Sequence, residues 1–158
     1  AEQGDAESQY NLGLMYDRGQ GVPRNDKTAV KWYKLAAEQE IAFAQYNLGV
    51  MYGNGQGVPQ NDEKAFELYS QSAAQGNSYG QNDLALCYEN GRGCKQSYER
   101  AVELYRQSAA QGNMDAQFNL AVSATRLCSA WRQINYVIKA LEQGRNWKQW
   151  NVVMQRSM

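Results

Sequence analysis

The chain predicts an all-α fold, an α/α solenoid of repeated helix pairs. Three observations carry that expectation. The sequence returns on itself every 36 residues: Gln9-Tyr10-Asn11-Leu12-Gly13 recurs as Gln45-Tyr46-Asn47-Leu48-Gly49, and Gly19-Gln20-Gly21-Val22-Pro23 as Gly55-Gln56-Gly57-Val58-Pro59. Within each copy, apolar residues fall at helical spacing. Turn and cap residues recur at the same offsets between those stretches. A repeat of this kind buries its core between neighbouring units and leaves an extended face free to hold another molecule.

The copies run over about 1–36, 37–72, 73–108 and 109–140, with a C-terminal helix at 141–158, all in one repeat domain. The first two share 20 of 36 positions. The first helix of a copy is read from Ser8, Leu12, Met15 and Tyr16 on one face, repeated as Ala44, Leu48, Met51 and Tyr52. It should stop at Gly19, Gly55 and Gly91, where a left-handed residue costs glycine least. Asn25, Asn61 and Ser97 are good N-cap types for the second helix. That helix is read from Ala29, Trp32, Tyr33 and Ala36, and again from Ala101, Leu104, Tyr105 and Ser108. Gly76-Asn77 and Gly112-Asn113 supply the stop and start between copies. Glu40-Ile41 stands there at the first junction, which predicts a strained or different turn. The fourth copy keeps Gln117-Phe118-Asn119-Leu120 but lacks the glycine loop. The chain starts on the end of a unit without an initiator Met, as expected of a segment of a longer array.

The pattern A-x-x-Q-Y-x-L-G-x-M-Y-x-x-G-x-G-V-P, followed by a spaced Ala and Tyr, resembles the Sel-one-like repeat family, a relative of the tetratricopeptide repeat. The resemblance is strong over residues 1–126 and weak over 127–158. It implies antiparallel helix pairs wound into a right-handed superhelix, and an adaptor role rather than a reaction. Members occur both in exported bacterial proteins and in adaptors of endoplasmic-reticulum quality control, so the resemblance leaves the compartment open.

Chemistry is sparse in the sequence. Histidine is absent, removing the commonest general base and metal ligand. No Cys-x-x-Cys, Gly-x-Ser-x-Gly or Gly-Lys-Ser/Thr string occurs. The glycine loops join two helices rather than a strand and a helix, so they read as turns and not as phosphate cradles. No enzyme activity, cofactor or metal is expected. No run of 18 apolar residues exists to span a membrane. Three cysteines form no disulfide framework. Cys87 and Cys94 replace Met and Val of sister copies and read as buried thiols. Cys128 also lies in a helical stretch.

The expected partner is another protein or peptide. A second stripe on each first helix, placed roughly opposite the core, combines rings with amides. It comprises Tyr10, Asn11 and Leu14 with Glu7 and Arg18 in copy one, and Phe43, Tyr46, Asn47 and Val50 with Asn54 in copy two. Copy three gives Tyr79, Asn82, Asp83, Leu86 and Asn90, and copy four gives Asp115, Phe118, Asn119, Val122 and Arg126. In tetratricopeptide relatives, the equivalent asparagine contacts peptide backbone and a terminal carboxylate. The resemblance carries that role to Asn11, Asn47 and Asn119, while Asp83 departs from it and would repel a carboxylate. The alternative is that these residues bond the neighbouring repeat and set the stacking. Residues 1–125 hold 15 acids and 10 bases, whereas 126–158 hold six bases and one acid. This asymmetry reads first as a solvated terminal face. The alternatives are a basic end that docks an acidic partner, or a self-assembly module in which the basic tail meets the acidic side of another copy to form a homo-oligomer. Six dispersed bases without a nucleic-acid fold argue against DNA or RNA. Trp131, Trp147 and Trp150 are expected to cap the open end of the core or to form a second face. Some cysteine-rich relatives have been linked to β-lactam hydrolysis, but no Ser-x-x-Lys string is present here.

Overall fold

A computed structural model describes residues 5–126. Trp131, Trp147, Trp150, Cys128, the basic tail beyond Arg126 and the C-terminal helix at 141–158 lie outside the described residues. Among those described, all regular structure is helical. Six helices of 13 residues follow one another: α1 (Ala6–Arg18), α2 (Asp26–Glu38), α3 (Ala42–Asn54), α4 (Asp62–Ala74), α5 (Ser78–Asn90) and α6 (Tyr98–Ala110). Residues 114–126 form a further helix, α7. The chain divides into two compact units, Ala1–Leu120 and Ala121–Met158. In the second, Ser123 is buried and the Thr125 hydroxyl donates to the Val122 carbonyl.

In the first unit, helices pair as α1 with α2, α3 with α4 and α5 with α6, and the pairs stack through α2 on α3 and α4 on α5. Each turn is built as its residues require. Gly19, Gly55 and Gly91 adopt φ of 67°, 68° and 70°, and their N–H groups close the first helices. Asn25, Asn61 and Ser97 accept from the backbone N–H three residues on. Asn77 and Asn113 do the same between copies. At the first junction Glu40 takes φ 63°, and Ile41 heads α3 without a side-chain cap. The junction is strained, as its missing glycine predicts.

The core is aromatic and small. Tyr33 is fully buried in a cluster with Ala29 and Val30, and Tyr105 in one with Ala85, Ala101 and Ala116. Glycine makes room for these rings: a Cβ at Gly13 would lie 2.5 Å from the Tyr33 ring, and one at Gly49 2.7 Å from Tyr69. Leu48 and Met51 are buried as expected, whereas Leu12, Met15 and Tyr16 are half-buried, since no described helix pair precedes them.

The second glycine of each loop locks one repeat to the one before. Gly57 sits against the Asp26 carbonyl at the start of α2, and Gly93 against Asp62 at the start of α4. A Cβ there would come within 2.6 Å of Asp26 backbone, or 2.2 Å of Asp62 backbone. Beside the second contact, the Arg92 guanidinium donates to Asp62 at 2.8 Å and to the Gly53 carbonyl at 3.2 Å.

Candidate functional site

The stripe on the first helices is not opposite the core, as its spacing suggested, but along its edge. The first helices α3 and α5 each meet their own partner helix and the second helix of the preceding repeat, and they also meet each other, which leaves a narrow free line. That line follows positions i, i+4, i+7 and i+11, such as Phe43, Asn47, Val50 and Asn54, which share one face. The i+3 residue lies at its margin and packs inward. Tyr10 wedges between Tyr33 and Phe43, with ring centroids at 6.0 and 6.3 Å. Tyr46 repeats the wedge between Tyr69 and Tyr79, at 6.2 and 5.7 Å. With Phe43 and Tyr79 at 6.4 Å, the rings form a continuous chain across three repeats.

In copy three the wedge is polar. Asn82 is buried, donates to Asp83 at 3.0 Å and accepts from Asn119 at 3.1 Å. Its amide is thus spent inside the stack. Asn47, half-buried, has its amide close enough to the Tyr10 and Tyr33 hydroxyls of the preceding repeat to oppose the rise that burial gives both. Asn11, in contrast, is exposed. Leu14, Val50 and Leu86 are half-buried against the core. What stands free is a set of rings: Phe43 and Tyr79 are each 49% exposed and Phe118 is 69% exposed.

Electrostatics single out one position on this line. Asp83 occupies the place of Asn47 but carries charge in a desolvated setting, and burial raises its pKa to about 6. Its Asn82 hydrogen bond works against that rise, while Asp115 adds to it. Tyr46 is pushed up to about 12, first by burial and then by Asp83, Tyr79 and Asp115. Burial also pushes the Cys87 thiol up to about 12, in keeping with a packing role. Cys94 is half-buried and its thiol faces the Cys87 carbonyl at 3.5 Å. Among the described residues no group of three metal-ligating side chains occurs, and no helix is long and apolar enough to cross a membrane.

A feature that the sequence reading missed lies among the second helices. A groove of about 850 Å³ separates α2 from α4, floored by Gln45, Leu48 and Tyr52 of α3. Lys34 and Lys64 approach the Tyr52 ring from the two flanks, at 5.7 and 5.8 Å from its centroid. Glu38, Glu40 and Glu67 share the walls, so the groove carries both charges. The first helices are closer together, since α3 meets α5 directly.

The comparisons with known proteins agree with this architecture. A protective antigen present in uropathogenic Escherichia coli strains, displaying an SLR fold, matches with a TM-score of 0.74 and 43% identity, covering 76% of this chain and 26% of that one. A Sel1 repeat protein from Oxalobacter formigenes matches with a TM-score of 0.72 and 40% identity, covering 76% and 48%. The chain therefore spans between a quarter and half of these relatives. Helicobacter pylori cysteine rich protein B shares the fold, with a TM-score of 0.60 at 17% identity, over 76% of this chain and all of that one. No curated protein matches. The Sel1 repeat matches residues 6–40, 42–77 and 78–113. Proteins of this type are generally interaction scaffolds rather than enzymes. With three tandem matches over more than half of its length, the chain belongs to the Sel1 repeat family.

Proposed function

We propose that the chain holds a segment of a partner protein along the face formed by its first helices. The observation that supports this most is the pair of exposed rings at Phe43 and Tyr79, which hold the same position in successive repeats, with Phe118 exposed at the marginal position of α7. Exposed aromatic side chains are costly unless something covers them, and they supply large contact area for little lost entropy. Covering the exposed half of one such ring against a partner is worth about 1 kcal/mol. The asparagine positions Asn47 and Asn119 contribute indirectly, by fixing how the repeats stack, while Asn11 is free to bond a peptide backbone.

The test compares capture of partners from the source cells by the wild-type chain and by a Phe43→Ala, Tyr79→Ala variant. Both rings are half-exposed, so the variant should retain its helical content by circular dichroism. Loss of a specific partner from the folded variant supports the first-helix face. Equal capture by both chains moves the interaction elsewhere, first to the groove between α2 and α4.

A further inference from the structure

We propose that the groove between α2 and α4 holds an extended segment of a partner protein that carries an acidic and a basic side chain about three residues apart. It is a second surface, independent of the ring-bearing face of the first helices. The floor of the groove fixes a direction. Lys34 reaches the Tyr52 ring, whereas the Ala37 carbonyl, one turn further along α2, accepts from Gln45 at 3.5 Å. Lys64 reaches the same ring, and Gln75 past the end of α4 bonds Gln45. Both walls therefore run the same way, from Tyr52 to Gln45, and the charges sort along them. The two lysines stand at the Tyr52 end. Glu67 follows Lys64 by one turn, and Glu38 and Glu40 mark the Gln45 end.

These charges are unspent. Among the described residues, neither lysine and none of the three glutamates of the groove makes an ion pair. An ammonium group over a ring keeps N–H donors for a further partner. The next repeat supplies the contrast. Tyr88 holds the place of Tyr52, but Phe66 meets its ring edge-on at 5.3 Å. Arg100 covers the same ring at 5.4 Å and donates to its hydroxyl at 3.0 Å. Ser70 stands where Lys34 would, with its hydroxyl turned to the Phe66 carbonyl, and Ala74 and Gly76 replace Glu38 and Glu40. That ring is satisfied by its own chain, whereas the Tyr52 hydroxyl has no partner among the described residues.

Charge complementarity selects the occupant. A carboxylate at the Tyr52 end would meet two ammonium groups and a free hydroxyl donor. A cation at the Gln45 end would meet Glu38 and Glu40. Tyr52 and Gln45 stand two turns apart on α3, a span of about 10 Å, which three residues of extended chain also cover. Between the ends the exposed Gln71 amide can bond a peptide backbone in either sense. A segment of one charge sign throughout would meet its own sign at one end of the groove.

The experiment uses the full chain and five nine-residue peptide libraries, each random except at two positions three residues apart. Those positions hold Asp then Lys, Lys then Asp, two Asp, two Lys or two Ala. The wild type should retain one of the mixed-charge libraries about fivefold better than the like-charged ones, as two exposed ion pairs allow. The Lys34→Glu, Lys64→Glu variant should shift that preference to the two-Lys library. Both lysines are exposed, and a gain of binding cannot be imitated by lost folding. Phe43→Ala, Tyr79→Ala should leave retention unchanged, which separates this groove from the first-helix face. Equal retention of all five libraries, or a preference that the lysine variant leaves as it was, would overturn the proposal. So would a preference lost in the Phe43→Ala, Tyr79→Ala variant, or no retention at all.

Discussion

The Gln75 side chain donates through Nε2 to Oε1 of Gln45 at 2.8 Å, tying the end of α4 to the buried face of α3. Gln39 and Gln9 repeat the bond at 2.7 Å, and Gln111 and Gln81 at 2.8 Å. Gln45 also reaches back to the Ala37 carbonyl of the preceding repeat. One buried amide therefore joins two helices of its own unit and the end of the unit before. Gln75→Ala leaves the Gln45 oxygen buried without its donor, which should cost about 1–3 kcal/mol. A double-mutant cycle with Gln45→Ala, followed by urea denaturation, should show positive coupling. Additive losses would mean that the two amides act separately.

Asp83 should make the fold less stable at neutral pH than in mild acid. Its folded pKa of about 6 exceeds the ordinary 3.8, so the folded state holds its proton more tightly than the unfolded chain. The penalty is absent below the unfolded value, grows between about 4 and 6, and is complete above. Asp83→Asn removes it and should stabilise the protein by roughly 1–3 kcal/mol at pH 7.5, with little effect at pH 4. Urea midpoints at the two pH values, for both chains, read this directly.

Gly57 and Gly93 should tolerate alanine far worse than Gly21. All three have positive φ, which costs alanine about 1 kcal/mol. At Gly21 the added methyl meets only the end of Met15 at 3.6 Å. At Gly57 and Gly93 it strikes rigid backbone at the start of the preceding second helix, so a further loss of about 1–3 kcal/mol is expected. Thermal melts of the three variants should rank Gly21→Ala well above the other two.

Glu40→Gly should raise stability. It relieves a left-handed strain of about 1–2 kcal/mol and gives back up to about 1 kcal/mol of unfolded-chain entropy. The expected net gain is about 0.5–1 kcal/mol, measurable as a shift of the denaturation midpoint. An unchanged midpoint would show that Glu40 is held by something other than its backbone geometry.

Local structure was legible in the sequence because its determinants are local. The helix stops at Gly19, Gly55 and Gly91, the caps at Asn25, Asn61 and Ser97, and the awkward turn at Glu40 all follow from one residue and its immediate neighbours. Placement of the stripe was legible only in part. Helical spacing groups Tyr10 with Leu14, and Tyr46 with Val50, but it does not say how far adjacent repeats close over a helix. The burial of Asn82 depends on Asn119, 37 residues later, and the wedge of Tyr46 depends on Tyr69 and Tyr79. The groove between α2 and α4 escaped the sequence altogether. It arises from the distance between two helices, and no single residue marks it.

The seating of Gly57 on Asp26, and of Gly93 on Asp62, gives the array the logic of a plug and a socket. Each unit carries both halves: a glycine that fits the helix start behind it, and a helix start that accepts the glycine ahead. Duplicating a 36-residue block in frame therefore adds one plug and one socket together, and leaves no unmatched surface inside the chain. Such an architecture can lengthen or shorten in evolution by whole units without redesigning a core. The sequence of the fourth copy lacks the glycine loop that supplies the plug in the copies before it.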